Sequence, residues 1–95
     1  MNVEKFFAIE DHNIPFFAKV VPVGGRFGRK NCLVNEEKPM IEFYDGRYDQ
    51  FITRYYLDNL NVNNGVILDG GIDEWYISAE NLAAAVKWAK EMLEI

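Results

Sequence analysis

The most conspicuous polar motif is Gly24-Gly25-Arg26-Phe27-Gly28-Arg29-Lys30, which interleaves glycines with three cations. Glycine backbone amides beside cations can cradle a phosphate. Phosphate loops, however, open a helix and place Ser or Thr after the lysine. Here the next residues are Asn31-Cys32-Leu33-Val34, a strand-like run. A hairpin loop with solvated charges is therefore the favoured reading, and a small-molecule or nucleotide site on Gly24–Lys30 is the alternative. If the loop makes a protein contact, Arg26, Phe27 and Arg29 are its anchors, because aromatic residues and Arg dominate binding hot spots.

Other chemistry-bearing residues point to structure. Asp45-Gly46-Arg47-Tyr48-Asp49 reads as a turn in which Asp45 and Asp49 are turn and cap residues and Arg47 pairs with one of them. Asp69-Gly70-Gly71-Ile72-Asp73-Glu74 spaces carboxylates like a fragment of a calcium loop. It is too short and lacks the bidentate Glu that completes such loops, so a tight turn is expected. His12 is the single histidine, Ser78 the single serine and Cys32 the single cysteine. No Ser/His/Asp set can be built from these, and no zinc set either. Cys32 reads as a buried, inert thiol in a strand. No catalytic residue, metal or cofactor is expected.

The elements that would hold these residues follow from pattern. Residues 3–9 could form a strand or a short helix, and their aromatic and β-branched content favours a strand. Residues 10–13 are a polar turn. Residues 14–23 form a strand whose Pro15 and Pro22 place it at a sheet edge or a bulge, since proline donates no ladder hydrogen bond. Cys32–Asn35 and Met40–Tyr44 read as an antiparallel hairpin around Glu36-Glu37-Lys38-Pro39. From Asp49 onward Phe51, Ile52, Tyr55, Tyr56 and Leu60 recur at helical spacing, predicting a helix capped by Asp49. Val66–Leu68 and Glu74–Ile77 are short strands. Ser78 caps a final helix over 79–93, with Glu80 in its first turn. Its apolar stripe is Leu82, Val86, Ala89 and Leu93, widened by Ala85, Trp88 and Met92. The order predicts one α+β domain spanning 1–95: a small, mostly antiparallel sheet of about four to six strands with two helices on one face.

Ten Lys/Arg face fifteen Asp/Glu, for a net charge of −5. The chain is +2 over residues 1–30 and −7 over 31–95. Direct nucleic-acid binding is not expected, because duplex affinity comes from cations displacing counterions. A basic protein surface is a better electrostatic match. Fifteen per cent of the residues are aromatic, more than a domain of this size buries completely. Partly exposed rings near Arg47 and Arg54 suit a partner interface. The apolar residues Phe16 and Phe17 on the expected edge strand also suggest a homodimer. No apolar run approaches a membrane span. The N-terminus lacks a secretory pattern, and a reducing, cytoplasmic setting is expected.

Three stretches resemble a known kind of protein: Gly28–Leu33, Glu42–Tyr48 running into Gln50–Tyr56, and Leu68–Ile72 with Trp75. They resemble small accessory proteins of bacteria, phages and other mobile elements, across roughly residues 25–90. That class includes host-defence inhibitors such as anti-CRISPR proteins, which act by binding a protein surface. The resemblance implies a non-enzymatic interaction module that inhibits a host-defence protein by covering a basic, nucleic-acid-binding surface. Glu36, Glu37, Asp69, Asp73 and Glu74 would supply the charge for that contact, and aromatic residues would anchor it.

Overall fold

The computed structural model describes residues 6–69 and 74–94; of residues 66–69, 74 and 75 only the backbone is described. Strands β1 (Phe6–Asp11) and β2 (Ile14–Val21) form a hairpin. Its two turn residues, His12 and Asn13, have φ of 51° and 63°. Two successive positive φ values give a type I′ turn, whose twist matches that of the flanking strands. After an excursion through β3 (Arg26–Phe27) and β4 (Leu33–Val34), β5 (Met40–Asp45) pairs with β2, and β6 (Gln50–Tyr56) pairs with β5. The result is a four-stranded antiparallel sheet in the order β1-β2-β5-β6, with β3–β4 as a separate two-stranded ribbon. A second ribbon, β7 (Val66–Asp69) with β8 (Glu74–Ile77), leads into helix α1 (Ala79–Leu93).

Helix α1 forms as its sequence predicts. The Ser78 hydroxyl accepts from the Asn81 amide at 3.3 Å, and Glu80 stands in the first turn. Leu82, Ala85, Val86 and Ala89 are buried, while Trp88 and Leu93 pack at the margin of the core. Opposite them lie alternate strand residues, Ile9, Phe16, Ala18, Ile41 and Phe43. This alternation is the period-two signature of a sheet with one face against a core. Asp11 fastens the helix to the sheet: its Oδ2 accepts from the Ser78 amide at 2.8 Å and from Asn81 Nδ2 at 2.9 Å. Burial alone would raise the Asp11 carboxyl, but these donors outweigh it and hold the pKa below the ordinary value.

Several expectations are corrected. One helix packs on the sheet, among the described residues, and not two. The segment expected as a helix from Asp49 is strand β6 followed by a single 3₁₀ turn, Leu57–Asn59. A β-bulge accounts for the false period. Thr53 faces Phe43 and Phe51 faces Tyr44, so Ile52 is an extra residue. Apolar side chains also fill both faces near Tyr55 and Tyr56, which hides the alternation. Asp49 is consequently no helix cap; it occupies the β5–β6 turn with φ of 52°. Strand β2 is interior, not at an edge, because its prolines sit at or beyond its ends. Phe16–Val21, between them, carry the register with β5. Phe16 is buried, so the argument for pairing two copies through β2 falls with it. The 32–35 segment pairs with β3, and not with β5. Cys32 is exposed, with its thiol donating to the Arg29 carbonyl at 3.0 Å.

Candidate functional site

The face of the sheet away from α1 carries an aromatic ladder that crosses all four strands. Phe17, Tyr44 and Phe51 stand in direct register on β2, β5 and β6. The Phe17 and Tyr44 rings stack with centroids 4.9 Å apart. Tyr44 meets Phe51 edge-on at 5.7 Å, and Phe6 of β1 meets Phe17 edge-on at 4.8 Å. The outer rungs remain open: Phe6 is 48% exposed and Phe51 39%.

Beside the ladder is an ion pair whose carboxylate is buried. Glu42 is 1% exposed. Its Oε2 accepts from Arg54 Nε at 3.1 Å, and its Oε1 accepts from the Tyr44 hydroxyl at 3.3 Å. The Arg54 guanidinium packs over two rings, 4.9 Å from the Phe27 centroid and 4.5 Å from that of Phe51. Phe27 comes from the β3–β4 ribbon, which folds back over this end of the sheet. Arg54 borders two clefts. One, of about 470 Å³, lies between Phe27, Glu36, Glu37, Met40 and Tyr56. The other, of about 430 Å³, lies between Gly28, Arg29, Tyr44, Gln50 and Phe51.

The ribbon is held in place by Asn35, which is 3% exposed. Its Nδ2 faces the carbonyls of Val21, Pro22 and Lys38 at 3.3, 3.4 and 2.7 Å. Its Oδ1 accepts from the Glu37 amide at 3.1 Å. Its own backbone accepts from the Gly24 amide and donates to the Gly25 carbonyl. The Gly25 amide is bonded to Pro22. Both glycine amides at the start of the loop are thus engaged in the hairpin, which removes them as phosphate donors.

At the other end of β5, Arg47 forms a bidentate pair with Asp45, through Nε at 3.1 Å and Nη2 at 2.9 Å. The Arg47 amide also donates to Asp45 Oδ1. The Arg47 side chain, with that charge and amide bond, holds the Asp45 carboxyl below its ordinary value against the opposing effect of burial. Gly46 is required here, because a Cβ would lie 2.9 Å from the Pro15 carbonyl oxygen.

The structure gathers part of the expected contact set. Phe27 stacks on Arg54, Arg29 borders the second cleft, and Glu36 and Glu37 border the first. Glu37 accepts from the Tyr56 hydroxyl, and this bond raises the Tyr56 pKa. Arg26 is exposed on the ribbon. Asp69 and Glu74 close the β7–β8 register, but their side chains lie outside the described residues, as does Asp73 altogether. Residue types alone indicated Arg54 only as a cation near rings; its pairing with Glu42 depends on the β5–β6 register. Among the described residues no cluster of His, Cys, Asp and Glu could hold a metal ion, and no helix is long and apolar enough to cross a membrane. Compared with protein-family models, curated proteins and solved structures, the chain has no match.

Proposed function

We propose that this chain is a non-enzymatic protein-interaction module that contacts its partner through the open face of the sheet and the β3–β4 ribbon folded onto it. The observation that carries this reading is the aromatic ladder, with its exposed outer rungs Phe6 and Phe51 and with the ribbon residues Leu33 and Val34 also exposed. Exposed apolar surface rimmed by polar groups marks interaction sites. The resemblance to accessory proteins of mobile elements supplies the biological form of the proposal: an inhibitor of the anti-CRISPR kind that covers a surface of a nucleic-acid-binding defence protein. Phe27, Arg29, Glu36 and Glu37, which border the two clefts of this face, belong to that contact. A cytoplasmic setting belongs to this reading and suits the exposed free thiol of Cys32.

Affinity capture from a bacterial lysate tests it, comparing the wild type with a Phe6→Ser/Phe51→Ser variant and with Lys87→Glu on the far side of the molecule. A protein held by the wild type and Lys87→Glu but lost by the double variant is the expected result. Equal capture by all three overturns it. A second reading, a nucleotide site using the Gly24–Lys30 loop, keeps one observation in its favour: Gly28 and Arg29 border a cleft together with Arg54. A nucleotide at 100 times its dissociation constant would add about 2.7 kcal/mol of stability. A panel of nucleotides that leaves the melting temperature unmoved eliminates it.

A further inference from the structure

The unspent donors of Arg54 define a more specific property of the open face. A guanidinium has five N–H donors. Arg54 uses Nε–H on Glu42, and among the described residues neither of its terminal Nη groups has a hydrogen-bond acceptor. Its guanidinium packs over the rings of Phe27 and Phe51, and its Nε end is tied to a buried carboxylate. Much of the rotamer freedom that an arginine ordinarily loses on binding is therefore already gone. Its side chain is still 31% exposed and borders both clefts. The guanidinium of Arg29, exposed and without a partner among the described residues, borders the same cleft.

We propose that the cleft between Gly28-Arg29 and Gln50-Phe51 is a carboxylate-binding site, which receives an acidic side chain or a chain-end carboxylate from a protein segment lying on the aromatic ladder. This rests on the reading of the open face as the contact surface. An arginine fork matches the two oxygens of a carboxylate, and charge-assisted bonds of this kind are the strong ones. Phosphate fits less well. Glu42, already paired with Arg54, and Asp49 border the same cleft and oppose any anion, a dianion about twice as strongly as a carboxylate, and the Gly24 and Gly25 amides are already engaged. The neighbouring rings of Tyr44 and Phe17 suit apolar side chains next to the carboxylate. The net charge of the chain is not decisive locally. Glu80, Glu91 and Glu94 belong to α1 and its end, on the opposite side of the sheet, and surface charges are screened beyond about 8 Å at physiological salt.

The test uses the full ¹⁵N-labelled chain and follows the Arg54 Nε–Hε resonance by NMR. The probes are a blocked peptide Ser-Phe-Glu-Phe-Ser, its Gln and Lys counterparts, the Gln peptide with a free C-terminus, and adenosine monophosphate. The Glu peptide is expected to shift the Arg54 and Phe51 signals and to bind about tenfold more tightly than the blocked Gln peptide. Binding by the free-ended Gln peptide assigns the site to a chain end; its absence assigns it to a side chain. Arg54→Lys keeps the charge but loses the fork, and should abolish the preference for Glu over Gln. Arg29→Gln, at an exposed position that leaves folding intact, should reduce it several-fold. Equal binding of the Glu and Gln peptides, tighter binding of the Lys peptide or the nucleotide, or no binding by any probe overturns the proposal. If the peptides fail while lysate capture still depends on Phe6 and Phe51, the carboxylate assignment falls and the contact surface stands. If the Glu peptide binds as expected while capture is indifferent to those residues, the cleft stands and the proposed function falls.

Discussion

The two faces of the four-stranded sheet each bury a carboxylate, and they complete its hydrogen bonding differently. At the margin of the helix-covered face, Asp11 takes the Ser78 amide and the Asn81 side chain, which the start of α1 supplies. On the open face, Glu42 takes Arg54, whose remaining donors have no acceptor among the described residues. The first arrangement closes a junction between two elements. The second leaves a cation about one-third exposed with donors to spare. The two buried charges thus differ in whether the partner's hydrogen-bonding capacity is used up among the described residues.

That contrast is sharpest where substitutions on the two faces diverge. Val86→Asp, on the covered face, buries an unpaired charge at a cost of several kcal/mol, against a total stability of about 5–10 kcal/mol. It should unfold most of the population, as far-UV circular dichroism and urea titration would show. Asn35→Asp is nearly isosteric but replaces a donor aimed at three carbonyls with an acceptor. A loss of about 2–3 kcal/mol is expected, read as a lower urea midpoint.

Asp45→Asn weakens the bidentate pair with Arg47 and should cost about 1–2 kcal/mol at neutral pH. Its pH dependence has a definite sign. The folded pKa of Asp45 lies below the ordinary value of 3.8. The stabilisation is therefore fully present above that value and is lost as pH falls through the lowered one. Urea midpoints measured between neutral pH and about pH 3 should converge for wild type and variant at the acid end. Phe51→Ser on the open face loses the ring contacts with Tyr44 and Arg54, should cost about 1–1.5 kcal/mol, leaves the chain folded and abolishes partner capture. Lys87→Glu, exposed on α1, should stay within about 0.5 kcal/mol of wild type and keep the partner.

Local rules were sufficient wherever neighbours in sequence are neighbours in space. Ser78 and the Leu82–Val86–Ala89 stripe identify α1, and Asp45 with Arg47 identifies a turn, from residues within a few positions of one another. The pattern predicts a helix at strand β6 because one extra residue, Ile52, shifts the strand period toward a helical one. The interior position of β2 was hidden because its two prolines interrupt the ends of the strand and leave its middle intact. The site divides in the same way. Arg26, Phe27 and Arg29 stand out in the chain as a motif, whereas Glu42 and Arg54 meet only once β5 and β6 are in register. Exposure of Cys32 follows from a two-residue ribbon that covers too little area to bury it.

Val21 and Met40 face each other in the register of β2 and β5, so the intervening residues leave and re-enter the sheet at one point. This narrow neck makes the ribbon an insert whose length the sheet does not constrain. Closure entropy rises only slowly with loop length, about 0.6 kcal/mol per doubling. A lineage could therefore lengthen residues 22–39 at small thermodynamic cost, provided an Asn35-like residue still ties the base and a ring like Phe27 still meets Arg54. The same scaffold could in that way be refitted to successive partners, with the ladder and Arg54 kept as constant ground beneath an extensible arm.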